Sequence, residues 1–285
     1  MNAIDDWYSA SSLTEAADRI ETPHVPRTTN VYVISGSERT VLVDAGRGIG
    51  NLAGFLESLV GTEVRLVLTH SDWDHIGNAH QFDDVAIHPS ERGDNGQIAI
   101  DTLSDEFVRR PAQLVADMRG ADLPFPDGFD PDDYEIPAAT GVDAVKPGTE
   151  IDLGDRILEA IALPGHSPGH LGFLDHADGI LYGGDVIHAG AGLYLHFQHS
   201  DLAACYESLA RLRRLRDENA FDALATCHNS PYTGDDLSLI DTLFEGLEAI
   251  IANDLSSEIV EMSWGPARQY VVEGSSILTK METEA

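Results

Sequence analysis

The sequence predicts an α/β protein built as a four-layer αββα sandwich with a lid-like insertion. Three observations predict it. β-Branched runs alternate with helix-like segments along the whole chain. Strands outnumber what a simple βαβ repeat would show, and the helices are spread over both halves, which suits two sheets packed face to face with helices outside. The 285 residues can bury a substantial core. No strong linker or low-complexity tract divides them, so one domain over 1–285 is expected.

Each element has its own signal. NVYVIS and TVLVDAG flank the turn GSER and read as a hairpin. GIGNLAGFLESLV is helical, VRLVLT a buried strand, IGNAHQF the possible start of a helix, and VAIH a short strand. The segment 97–144 differs: a helix over LSDEFVRRPAQLVADMRG is followed by the Pro/Gly/Asp-rich ADLPFPDGFDPDDYEIPAATG. It reads as an insertion or lid, because loops this long inside a compact domain are usually functional. Regular structure resumes over TEIDLGDRILEAIAL and LGFLDHADGILYGGD, then a helix over DLAACYESLARLRRLRDE and a strand over DALATC. The stretch 235–285 holds a helix over DLSLIDTLFEGLEAIIAND and a tail, PARQYVVEGSSIL, that suits either an edge strand or a short helix.

Composition narrows the function. There are 49 acidic against 17 basic residues, a net charge of −32, and Lys146 and Lys280 are the only lysines. The acids are scattered over the chain, which reads as a solvation strategy and resembles adaptation to a salt-rich cytoplasm, where screening relieves self-repulsion. An acidic protein of an ordinary cytoplasm is the alternative. Nucleic acid is a poor partner, since phosphate binding draws on clustered Lys/Arg. No apolar run approaches the roughly 20 residues that span a bilayer, so no membrane partner is expected. MNAIDDWYSASS has neither the basic nor the apolar region of a secretory signal. Two cysteines, Cys205 and Cys227, cannot build a disulfide framework, so a reduced cytoplasmic setting is expected. The partner is then a small-molecule substrate, and an oligomer stays possible.

The chemistry concentrates in LTHSDWDHIGN (68–78), which carries two histidines and two aspartates with no lysine or arginine to neutralise them. Such a group must share something positive, either a proton or a metal ion. His166 in LPGHSPGH, Asp185 in LYGGDVIH and His228 in TCHNSP also end strand-like runs. With His70, Asp72, Asp74 and His75 they make seven N/O donors at strand ends, more than one tetrahedral zinc takes, so two metals are expected. Singly, each has an ordinary explanation: an Asp after GG can cap a helix, and a His before SPG can satisfy a turn. Jointly, coincidence is hard to sustain.

The set HxDxDH, GHSPGH, GGD and a late histidine resembles the metallo-β-lactamase superfamily, whose usual first motif is HxHxDH. TNVYVISGSERTVLVDAG is similar to that family's opening hairpin and first Asp-Gly turn. The likeness runs over 30–232 apart from the insertion, and within the family PGHSPGH and GGD look most like glyoxalase II and lactonase-type hydrolases. It implies the metallo-β-lactamase fold and two divalent ions, zinc first. His70 and His166 would hold one metal, Asp74, His75 and His228 the other, and Asp185 would bridge them. Asp74 would also be catalytic, orienting the nucleophile or returning a proton. Asp72 stands where the family usually has histidine, and its shorter, harder donor moves the preference towards iron or manganese.

Around the ligands, Asp44 and His170 are expected to orient the site without binding metal. His188, Tyr194, His196 and His199 in VIHAGAGLYLHFQHS are either a wall that contacts substrate or an aromatic loop packed on the core. The resemblance implies a metal-dependent hydrolase of an ester, thioester or lactone, acting through metal-activated hydroxide. Glutathione recognition would use C-terminal basic residues, of which only Arg268 and Lys280 follow His228. Alternatives are a non-haem iron enzyme resembling persulfide dioxygenases, a phosphodiesterase or nuclease, and a binding module with a degenerate metal site.

Overall fold

The computed structural model describes residues 7–61, 63–188, 190, 192–262 and 265–281. Positions 1–6 of MNAIDDWYSASS, and Ala189 and Ala191 of the histidine-rich loop, lie outside the described residues. The chain divides into two compact units, 1–160 and 161–285.

The first unit is built on a seven-stranded sheet in sequence order. β1 (Ser9–Ser12), β2 (Ala17–Glu21), β3 (Val31–Ser35) and β4 (Thr40–Val43) run antiparallel. Helix α1 (Leu52–Val60) leads to β5 (Val64–Val67), parallel to β4. The short helix α2 (Trp73–Ile76) follows. β6 (Val85–Ile87) extends the parallel part, and after α3 (Arg110–Gly120) β7 (Asp143–Ala144) closes it. Every residue of β4 is buried, as expected of a central strand covered on both faces. α1 starts where the Asn51 side chain accepts from Gly54 N and stops at Gly61 in a left-handed C-cap. Residues 97–144 are not a loose flap, since Ile98, Leu114, Met118, Ala139 and Val142 all enter this unit's core. IGNAHQF ends α2 at Ile76 and adds one 3₁₀ turn, Ala79–Gln81, where a helix starting in the segment was expected from sequence. β8 (Glu150–Asp152) and β9 (Ile157–Ala162) form an antiparallel hairpin whose last two residues open the second unit.

In the second unit β10 (Leu171–Asp175) and β11 (Ile180–Gly184) are antiparallel, and β12 (Leu193–Leu195) belongs to another sheet. Helix α4 (Leu202–Asp217) is capped by the Asp201 carboxylate, which accepts from Ala204 N. β13 (Ala223–Thr226) lies parallel to β11, and β14 (Tyr232–Thr233) pairs antiparallel to β13. Helix α5 (Leu239–Ile251) precedes β15 (Glu258–Met262), β16 (Gly265–Val272) and β17 (Ser275–Thr279), which with β12 make a sheet ordered β12-β17-β16-β15. The tail is therefore a hairpin, not a helix. Both cysteines are buried and unbridged, and burial pushes the Cys205 thiol up to about 12. No helix among the described residues is long and apolar enough to cross a membrane.

Helices α4 and α5 are tied by Asp241, which accepts from Arg213 Nε at 2.7 Å and Arg216 Nη1 at 2.5 Å. The hydrogen bonds from Arg216, then the charges of both arginines, hold the Asp241 carboxyl below the usual carboxylate range. A carboxyl depressed on folding stabilises above its unfolded pKa and loses that contribution as pH falls through its folded value. Asp241→Asn should cost about 1 kcal/mol or less at neutral pH, as befits a partly exposed cluster. The difference from the parent should vanish in acid, as urea titrations at the two pH values would show.

Candidate metal centre

In the first unit the parallel strands β4 and β5 end side by side, so the residues following them share one rim. Asp44 follows β4 in a left-handed conformation, φ 64°, that costs a non-glycine residue about 1–3 kcal/mol. It is fully buried and accepts from Thr69 N at 2.8 Å, Thr69 Oγ1 at 2.9 Å and His75 Nδ1 at 2.9 Å. Burial would raise its carboxyl. The charge and hydrogen bond of His75, the charge of His70 and the Thr69 amide together outweigh that and hold it low. The Thr69 hydroxyl, donating to Asp44, has its oxygen left to accept from His70 Nδ1 at 2.9 Å. Both imidazoles thus carry a proton on Nδ1, which leaves Nε2 as the nitrogen able to take a metal.

The loop bearing these histidines is pinned from both sides. Glu91, buried, accepts from Ser71 N at 3.1 Å and Ser71 Oγ at 3.0 Å. Ala45 N donates to His75 O at 2.7 Å, and Gly77 N to Gly46 O at 2.8 Å. A Cβ at Gly77 would lie 2.1 Å from Gly48 N and 2.2 Å from the Arg47 carbonyl carbon, both backbone. Gly77→Ala should therefore cost several kcal/mol, roughly 1–3 or more from overpacking. The lost stability should appear as a lowered urea midpoint, together with weakened metal uptake if α2 carries the expected ligands Asp74 and His75.

Around the carboxylates of this unit, His70 Nε2 lies 3.7 Å from Asp72 Oδ2. Asp74 Oδ2 accepts from Thr29 Oγ1 at 3.2 Å and has Arg47 Nη2 at 3.7 Å. Burial pulls the Arg110 guanidinium down, opposed by Glu106, Asp74 and Asp72. Thr29, Arg47, Glu91 and Arg110 carry no motif, and sequence reasoning missed them. Thr29, Arg47 and Glu91 act through contacts at separations of 18–45 residues, while the hydrogen bonds of Arg110 are local, to Glu106 and Gln113.

In the second unit β11 and β13 run parallel with Gly184 opposite Thr226, so Asp185 and His228 emerge from adjacent strand ends. An irregularity in register between Tyr182 and Gly184 re-aims the end of β11. His166 Nδ1 lies 2.9 Å from Tyr194 O, and since a carbonyl only accepts, that nitrogen bears a proton. Ser200 Oγ donates to His166 O at 2.8 Å. Gly165 has φ 142°, and a Cβ there would lie 2.5 Å from Cys205 Cα, so only glycine lets the His166 loop sit against α4. His170 Nε2 accepts from Asp185 N at 3.1 Å, which steadies the backbone of that aspartate.

Three imidazoles converge on one oxygen. Asp185 Oδ2 has His188 Nε2 at 3.3 Å, His228 Nε2 at 3.3 Å and His166 Nε2 at 3.8 Å. Asp185, His188 and His228 each offer a donor atom, all within 4.8 Å of one another. His166 Nε2 faces this carboxylate either as a second N–H or as a lone pair that shares a cation with it. Imidazole nitrogen with carboxylate oxygen is a donor set suited to zinc, iron or manganese. Of the residues expected at the substrate, Tyr194 is buried and stacks on His188 at 3.8 Å, while His196 and His199 flank the Phe197 ring.

A family model described as the metallo-beta-lactamase superfamily matches residues 24–221, a span that includes six of the seven expected ligands and stops before His228. The chain belongs to the metallo-β-lactamase superfamily. The acyl-coenzyme A thioesterase MBLAC2 of Gallus gallus is 31% identical over 213 residues, 70% of this chain and 72% of that protein. The hydroxyacylglutathione hydrolase GloC of Haemophilus influenzae is 27% identical over 185 residues, 64% of this chain and 77% of its own. Among solved structures, the metallo-beta-lactamase family protein TTHA1429 of Thermus thermophilus is similar with a TM-score of 0.59 and 21% identity, covering 87% of this chain and 85% of its own. ST1585 of Sulfolobus tokodaii gives 0.54 at 20%, covering 88% and 91%. The structural likenesses carry the fold, which is the metallo-β-lactamase fold with mixed sheets and helices expected from sequence. Membership puts the chain in a class of metal-binding hydrolases, and the His/Asp clusters able to bind metal agree with it.

Proposed function

We propose that this chain is a metal-dependent thioester hydrolase whose ligands are His70, Asp72, Asp74, His75, His166, Asp185 and His228, serving two divalent ions. The observation that carries the reading is Asp185 Oδ2 with imidazole nitrogens at 3.3–3.8 Å. Bound metal supplies Lewis acidity at the carbonyl and lowers the pKa of water towards neutrality. The residues do the rest. Asp74, its Oδ2 held by Thr29 and Arg47, takes a proton from the attacking water and returns it to the departing thiolate, so water and thioester become acid and thiol. Asp44 and Thr69 hold His75 and His70 in one tautomer. Zinc is the first candidate, with iron or manganese admitted by the carboxylate of Asp72.

The names of the relatives support a thioester over a lactone or phosphodiester. Lys280 Nζ donates to Ser200 O at 3.0 Å and to Gln198 O at 3.4 Å, and Arg268 donates to Ser257 Oγ. Both C-terminal cations thus brace the chain, which favours a thiol that needs no anion recognition there. Asp72 also favours a second reading, iron-dependent oxygenation of a persulfide. The deciding experiment is elemental analysis of purified protein with a screen of acyl thioesters, lactones, phosphodiesters and a persulfide, run in molar KCl. Thioester turnover with bound metal is expected. Folded protein with less than one equivalent of metal, or oxygen uptake without thioester turnover, would refute the proposal.

A further inference from the structure

We propose that His188 is itself a metal ligand, its Nε2 completing a three-donor set with Asp185 Oδ2 and His228 Nε2. This rests on the reading of the chain as a metal-dependent enzyme and adds a donor that the motifs do not contain. His188 and His228 stand at the same distance, 3.3 Å, from the same carboxylate oxygen. That is longer than the roughly 2.7–2.9 Å of a charge-assisted hydrogen bond. It matches the separation of two ligands on one tetrahedral ion, roughly 3.3–3.4 Å for bonds of about 2.0–2.1 Å. The two rings lie 4.3 Å apart between centroids, so protonating both to satisfy Asp185 would set like charges against each other.

The position of His188 is built. Its N–H donates to Gly192 O at 2.8 Å, and its carbonyl accepts from Gly192 N at 3.3 Å and from Asn229 Nδ2 at 3.1 Å. Asn229 also donates to Thr226 Oγ1 at 3.2 Å and accepts from Gly190 N at 3.2 Å. The neighbour of His228 therefore ties the His188 turn to the end of β13, which sets the spacing between the two imidazoles. The Tyr194 ring lies parallel to the imidazole, 12° off and 3.8 Å away, and fixes its plane. With 14% of the side chain exposed, the imidazole is accessible to an entering ion and shielded from bulk exchange.

The test uses full-length protein stripped with chelator in molar KCl and reloaded with Co²⁺. Fully loaded parent should show five exchangeable, hyperfine-shifted imidazole N–H signals in proton NMR, from His70, His75, His166, His188 and His228. His188→Phe keeps a ring on Tyr194, and His188→Asn serves if the phenylalanine variant misfolds. Either should lose one signal and bind Co²⁺ more weakly by over about 100-fold, above what loss of an outer hydrogen-bond partner costs. Four signals in the parent, or a variant with unchanged signals and affinity within about tenfold, would overturn the assignment of His188 alone. A folded parent that takes up no cobalt would overturn it together with the metal-dependent reading. Cobalt uptake with five signals but no thioester turnover would uphold His188 and refute only the thioesterase.

Discussion

Asp185→Asn should lower kcat/KM for thioester hydrolysis by about 10⁴-fold, roughly 5.5 kcal/mol of transition-state stabilisation at 1.36 kcal/mol per decade. The exchange is nearly isosteric, so the cause would be charge. Oδ2 is the common neighbour of three imidazole nitrogens, and a neutral amide would not hold the proposed cation there. Without bound metal, water returns towards its bulk pKa and the nucleophile is lost at neutral pH. His170 would still accept from the backbone N–H of residue 185, so the strand end should survive. Paired measurements of turnover, metal content and circular dichroism separate this from unfolding. A variant that keeps its metal and most of its rate would refute the role.

Asp44→Ala should destabilise the protein by about 3–5 kcal/mol, the range for removing one partner of a buried, hydrogen-bonded charge pair. The Thr69 amide, the Thr69 hydroxyl and His75 Nδ1 all lose their acceptor, and the hydroxyl no longer has a reason to present its oxygen to His70. Asp44→Asn, which tolerates the left-handed backbone, should lose less stability but weaken metal uptake by about 10–100-fold, because the neutral oxygen polarises His75 less. Urea unfolding and chelator competition read the two effects separately. Equal metal affinity in Asp44→Asn and the parent would show that Asp44 only supports the loop.

Much of the fold was legible because burial writes itself into residue type. VYVIS and TVLV are β-branched and buried, and Asn51 and Gly61 mark the ends of α1 by capping chemistry that is local. β1 was not legible: SASS is fully exposed and has no apolar alternation to betray a strand. Nor was the packing of 97–144, whose apolar residues are spread too widely between prolines and glycines to show a period. The ambiguity of the tail was resolved by pairing with β12 and β15, partners that no local pattern names.

By itself, the sequence determined which side chains could do chemistry here, since donor type and position at strand ends are properties of short segments. It placed His70, Asp72, Asp74, His75, His166, Asp185 and His228 as candidates and Asp44 and His170 as their supports. Only the tertiary structure decided how those donors are oriented and which neighbours join them. Tautomers depend on acceptors far along the chain, as with His166 and the Tyr194 carbonyl 28 residues on. His188 acquires its relation to His228 through Asn229, a hydrogen bond across 41 residues. Residue identity is a local quantity. Distance between donors is set by strand register and loop ties, which no single segment contains.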